Sequence, residues 1–195
     1  MSKTMSEADR RRRRRRRRVQ AITIYMAIAV CLAWFFESQA TTTVIFVRHA
    51  EKTAEPADDP GLSEAGLQRA AELARQLVDA DVVAGVDAIY STSYRRTEET
   101  ARPVAEALSL PILSYDASNT ETIMDEIVKK HKGKIILVVG HSNTIPALIG
   151  NMGASKKVPA INEDEYDNIY IVSIPWFGKT KTIRLRYGTP YIPAE

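Results

Sequence analysis

Four short apolar runs punctuate this chain, and the stretches between them carry helical rather than strand periodicity. Thr43 to Val47, Asp87 to Tyr90 and Ile135 to Gly140 are rich in β-branched residues and read as buried strands, and Pro111 to Ser114 is a shorter fourth. Ser63 opens a helical stretch with Leu67, Ala70, Ala71, Ala74, Leu77 and Val78 on one face. A second helix is expected over about 94–108, where Pro103 could kink it or mark a break. A third follows Asn119 or Thr120 as cap, and a fourth covers about 143–150. Two further strands, about 168–174 and 181–187, read as a hairpin, and 155–166 reads as a polar loop. The strand estimates nearest the chemistry are about 43–48, 86–91 and 134–139. This order implies an α/β fold, a three-layer sandwich whose mostly parallel sheet has helices on both faces.

The N-terminus is of another kind. Residues 10–18 are nine consecutive arginines, and an apolar segment from Val19 to Phe36 follows at once. A basic block, an apolar block of spanning length and then Ser38-Gln39-Ala40 are the order of a cleaved secretory signal, and equally of an uncleaved anchor. We expect an anchor: a basic tail at 1–18, a membrane-spanning segment at 19–36 and a folded domain at 41–195. The arginines stay on the cytoplasmic side, so the domain is expected outside, in a periplasm-like space. Arginine runs also serve as nucleic-acid tails, but an adjoining apolar span needs a membrane. The net charge of +3 conceals this division. Residues 1–40 hold ten basic and three acidic residues, which leaves 17 basic against 21 acidic in the remainder. The domain is therefore mildly acidic, with no general basic face for nucleic acid. The chain's one cysteine, Cys31, lies in the apolar segment, so the domain has no disulfide, and no Cys/His spacing suggests a zinc site.

Two of the three histidines follow apolar runs directly. Arg48-His49-Ala50-Glu51 follows the first and His141-Ser142 the third, while Ser91-Thr92-Ser93-Tyr94-Arg95-Arg96 follows the second. In open α/β sheets ligand sites gather at the carboxyl ends of strands. Two histidines and two guanidinium groups brought together there are the parts for handling a phosphoryl group. His131, in the basic segment Lys129 to Lys134, reads instead as part of a helix end.

These residues resemble the motifs of the histidine phosphatase superfamily, the phosphoglycerate mutase-like family. Arg48-His49-Ala50-Glu51 is similar to its Arg-His-Gly motif, with alanine where glycine is usual. Leu62-Ser63-Glu64-Ala65-Gly66, Ser91 to Ala101 and Val139-Gly140-His141-Ser142 resemble three further segments, in the family's order. The compact size is similar to the SixA-like members. The resemblance implies a phosphoglycerate mutase-like fold and a phosphomonoester hydrolase with His49 as nucleophile, forming a phosphohistidine. Arg48 and Arg96 would clamp the phosphoryl oxygens, with Arg95 turned to solvent. A protonated His141 would stabilise charge on the transferring group, and the helix start at Ser142 would offer free N–H groups to the anion. Lys52 is expected at the rim, touching substrate. For the leaving-group proton the resemblance points to a carboxylate after the third strand, Asp116 or Glu121, with Asp116 preferred. No cofactor and no metal are implied, because the arginines and His141 already supply positive charge. The expected partner is a small phosphorylated substrate, an envelope phospho-sugar or other phosphoester. Protein phosphohistidine and a non-catalytic phosphate-binding module are the alternatives.

Overall fold

The computed structural model describes residues 7–38, 41–79, 85–154 and 157–193, without the side chains of Asp9, Glu37, Ser38, Glu121 and Thr122. The chain falls into two compact units, Met1–Gln39 and Ala40–Glu195. The first is a single helix, α1 (Glu7–Ser38). Its Arg10–Phe36 stretch is long and apolar enough to cross a membrane, and none of that stretch is buried. Most of the Ser38-Gln39-Ala40 signal site expected from sequence lies outside the described residues.

The second unit runs β1 (Thr41–Arg48), α2 (Glu64–Val78), β2 (Ala88–Ser91), α3 (Arg95–Leu108), β3 (Ile112–Ser114), α4 (Thr120–Lys130), β4 (Ile135–Gly140), α5 (Ile145–Asn151), β5 (Asn168–Pro175) and β6 (Lys181–Arg186). The six strands form one sheet in the order β3-β2-β4-β1-β5-β6. β1 pairs in parallel with β4, and β2 in parallel with both β3 and β4. β5 lies antiparallel between β1 and β6, so it alone runs against the other strands. The mostly parallel sandwich expected from the sequence is the fold observed.

Period-two alternation builds the three layers. Val44, Phe46, Ile136 and Val138 point to one face, where they pack with Met124 and Ile127 of α4 and Ile145, Leu148 and Ile149 of α5. Ile45, Val47, Leu137 and Val139 point to the other, against Leu73 and Ala74 of α2 and Ala101, Val104 and Ala105 of α3. Central strands that bury both faces must be apolar throughout, which is why their runs were visible without alternation.

Two elements differ from the sequence reading. Pro103 does not end α3: the helix continues through it to Leu108 and stops at Ser109, in the left-handed region at φ 54°. α5 begins at Ile145 rather than about 143, because residues 142–144 form a turn in which Thr144 Oγ1 accepts from the His141 N–H at 3.3 Å. Ser142 is therefore a turn residue and not a helix start.

Candidate active site

The carboxyl ends of β1, β2 and β4 lie side by side, because Arg48 is in register with Gly140 and Ser91 with Val139. The residues that follow those strands therefore meet in space. A cleft of about 550 Å³ opens there, lined by Arg48, His49, Lys52, Tyr94, Arg96, Ser142 and His141 together with Ala117, Ser118, Asn143, Thr144, Glu163, Asp164 and Tyr166.

His49 is 4% exposed and fixed on all sides. Its backbone N–H donates to the Gly140 carbonyl at 2.9 Å, which continues the β1–β4 ladder past the strand end. Its Nδ1 lies 2.8 Å from the Ala50 carbonyl. A carbonyl only accepts, so Nδ1 carries the proton and Nε2 is left with its lone pair. The next two residues are held as firmly. The Ala50 N–H donates to Thr100 Oγ1 of α3 at 2.9 Å, and the Glu51 carbonyl accepts from the Ser63 N–H at 2.9 Å. Ser63 in turn caps α2, its hydroxyl accepting from the Gly66 N–H. The Glu51 carboxylate pairs with the buried Arg69 of α2 at 2.8 Å.

The His141 and His49 rings stand 5.4 Å apart, edge to face. Tyr94 abuts His141 at 5.2 Å and stacks under the Arg96 guanidinium at 4.4 Å. Thr92 Oγ1 lies 3.0 Å from His141 Nε2 and 2.8 Å from Thr97 Oγ1, which ties the second histidine to the start of α3. Arg48 is 5% exposed, lies 4.2 Å over the Tyr166 ring, and donates from Nη1 to the Asn162 and Glu165 carbonyls. It thereby holds the 162–166 loop against the cleft. Asp59, from the loop after β1, accepts the Arg95 N–H at 3.0 Å and lies 4.0 Å from Arg96. Arg95 turns outward to Glu99, so of the adjacent pair it is Arg96 that faces the cleft.

Burial dominates the titration of both histidines. It pushes His49 down to about 3, with the Arg48, His141 and Arg96 charges adding to it against the Ala50 hydrogen bond. His141 is pushed down to about 4 by burial and then by Arg96 and Arg48. The sequence reading has His141 protonated beside a bound phosphate. In the unliganded cleft it is neutral at pH 7, because burial first, and then the two guanidinium groups, disfavour its charged form.

Asp116 is not brought into the cleft. Its carboxylate accepts the Ser118 N–H at 2.8 Å, a bond that also lowers its pKa, and it faces a separate hollow with Ser114 and Tyr115. An Asp two residues before a Ser closes an Asx turn, a signal present in the sequence. Glu121 lies in the first turn of α4, and its side chain falls outside the described residues. The carboxylates lining the cleft among the described residues are Glu163 and Asp164, which sequence reasoning left in an undifferentiated polar loop. Thr92, Tyr94 and Tyr166 were likewise missed. Lys52 and Ser142 do line the cleft. His131 is remote from it, with Nε2 2.9 Å from the Tyr90 hydroxyl.

Among known proteins, residues 44–117 match the sequence model of the histidine phosphatase superfamily (branch 1). No curated protein matches the chain by sequence. Solved structures do match in fold. The mycobacterial glucosyl-3-phosphoglycerate phosphatase is 15% identical with a TM-score of 0.57, over 75% of this chain and 98% of its own. The protein histidine phosphatase SixA, solved with tungstate, is 16% identical with a TM-score of 0.60, over 74% of this chain and 96% of its own. The family match begins in β1 and runs through His49 and Arg96 to the turn after β3, inside a fold shared with these phosphatases. Residues 44–117 thus resemble the histidine phosphatase superfamily, and the chain shares the fold of these phosphatases.

Proposed function

We propose that the chain is a metal-independent phosphomonoester hydrolase that works through a phosphohistidine on His49. One observation carries the reading: His49 keeps its proton on Nδ1, against the Ala50 carbonyl, and so offers a neutral Nε2 inside a cleft lined by two guanidinium groups and a second histidine. The lone pair of Nε2 attacks phosphorus and the P–O bond to the leaving group breaks, giving a phosphohistidine and an alcohol. Arg48 and Arg96 hold the non-bridging oxygens, for which a planar, permanently charged fork is suited. A phosphate dianion beside His141 brings opposite charge to a ring that burial keeps neutral, and so favours its protonation on binding. Glu163 and Asp164, on the cleft wall, are assigned to the leaving-group proton in the first step and to activating water in the second. Water then attacks phosphorus, the N–P bond breaks, and inorganic phosphate leaves with His49 restored.

For the substrate we propose a phosphorylated small molecule or phospho-sugar outside the cytoplasmic membrane, with α1 as anchor and the arginine run inside. A second reading has its own support. No carboxylate from the segment after β3 lines the cleft among the described residues, which favours good leaving groups such as protein phosphohistidine. That substrate requires the unit to face the cytoplasm.

Rapid acid-free quenching with a radiolabelled aryl phosphate tests the mechanism. We expect label on His49, stable to base and labile to acid. His49→Ala should lose both the label and turnover, the latter by at least about a thousandfold. Normal turnover by that variant overturns the mechanism. Phosphate binding by the wild type without any label would make it a binding module instead.

A further inference from the structure

The β5–β6 hairpin carries chemistry that neither the sheet nor the cleft uses. At its tip, Trp176 is 73% exposed and Phe177 90%. On the edge strand β6, Ile183 and Leu185 are 58% and 50% exposed. They stand opposite Ile171 and Ile169, on the sheet face that α2 and α3 cover elsewhere. The charge is as uneven as the apolarity. Residues 168–193 contain no aspartate or glutamate, yet hold Lys179, Lys181, Arg184 and Arg186. Arg186 is paired with Asp167 and Glu165. The hairpin is thus an apolar, cationic pole on a unit that otherwise carries more acid than base.

We propose that the Trp176–Lys181 tip is an interfacial membrane contact. It seats its aromatic rings at the headgroup level of a bilayer with anionic lipid, and sets Lys179, Lys181 and Arg184 among the phosphates. Tryptophan at that depth keeps an apolar body in the boundary and a polar edge in water, while lysines beside it are drawn by the negative surface. The contact is argued from the exposure and charge of the hairpin itself and does not depend on α1.

The test uses the full chain with Trp34→Phe, which leaves Trp176 as the sole tryptophan. The protein is reconstituted in phosphatidylcholine vesicles with and without phosphatidylglycerol, some with brominated acyl chains. We expect blue-shifted Trp176 emission, quenched roughly twofold by brominated lipid. Quenching should weaken without phosphatidylglycerol and in Lys179→Glu/Lys181→Glu, while aryl phosphate hydrolysis by that variant stays unchanged. Water-exposed, unquenched emission in both lipids overturns the proposal. So does a blue shift that follows protein concentration without quenching, since a second copy then covers the tip. Alkaline extraction reports separately on the anchor: a chain that washes off yet shows quenched Trp176 refutes α1 as an anchor and keeps the hairpin contact.

Discussion

At the scale of the residue, one backbone carbonyl determines which nitrogen of His49 bears the proton. The pH behaviour follows from the ring's burial. Both histidines stay neutral well below the ordinary value, at about 3 for His49 and about 4 for His141. The acid limb of kcat/KM, which reports the free enzyme, should therefore fall below about pH 5 once substrate ionisation is corrected for. A limb centred on the ordinary histidine value would refute the burial argument. Stability has the same origin. The unfolded chain takes up these protons from about pH 6.5, and the folded one only near 4 and 3. Between those values the unfolded state holds more protons, so stability is lost as pH falls from 6.5 towards 4. Urea midpoints at pH 7, 5.5 and 4.5 should show that loss, and His49→Gln should flatten it. Arg96→Lys should raise KM roughly tenfold by removing the fork and its stack on Tyr94, with a smaller change in kcat. An unchanged KM would take Arg96 off the substrate. That Arg48, His49, Arg96 and His141 would meet was legible in the sequence because each lies at a strand end or within a few residues after one. Tyr166, Glu163 and Asp164 were not, because their position depends on a loop that Arg48 holds through backbone carbonyls, a contact across more than a hundred residues that no local pattern records.

At the scale of the element, α2 does more than cover the sheet. Its first turn lies directly on the Ala50–Glu51 backbone, and a Cβ at Gly66 would overlap the Glu51 carbonyl oxygen. Gly66→Ala should therefore cost roughly 1–3 kcal/mol in unfolding free energy. It should also lower kcat, because the displaced segment includes the Ala50 carbonyl that sets the His49 tautomer. Ser63→Ala, which removes the cap and a bond to the Glu51 carbonyl, should cost about 1 kcal/mol. Loss of stability without any change in kcat for either variant would show that α2 is packing alone. The helix was readable from its apolar stripe and capping serine. Its close approach to the site was not, since a glycine in a helix only hints that some backbone lies near.

At the scale of the whole molecule, strand type and the β5–β6 hairpin were readable, and the sheet order was not. Nothing local in β5 says that it pairs antiparallel with β1, 120 residues earlier in the chain. The proposed topology has a direct measurement. With nine arginines resisting translocation and the apolar stretch inserting, a reporter fused after residue 195 that needs an oxidising environment should be active, and one that fluoresces only in the cytoplasm should be dark. The opposite pattern would move protein phosphohistidine to the head of the substrates.

β1 also works as a ruler. One end, Thr41, adjoins the hairpin tip through its pairing with Pro175; the other, Arg48, opens into the cleft. Seven residue steps of strand separate them, about 23 Å. The hairpin tip and the cleft thus lie at opposite ends of one strand, so whatever occupies the tip leaves the mouth of the cleft open.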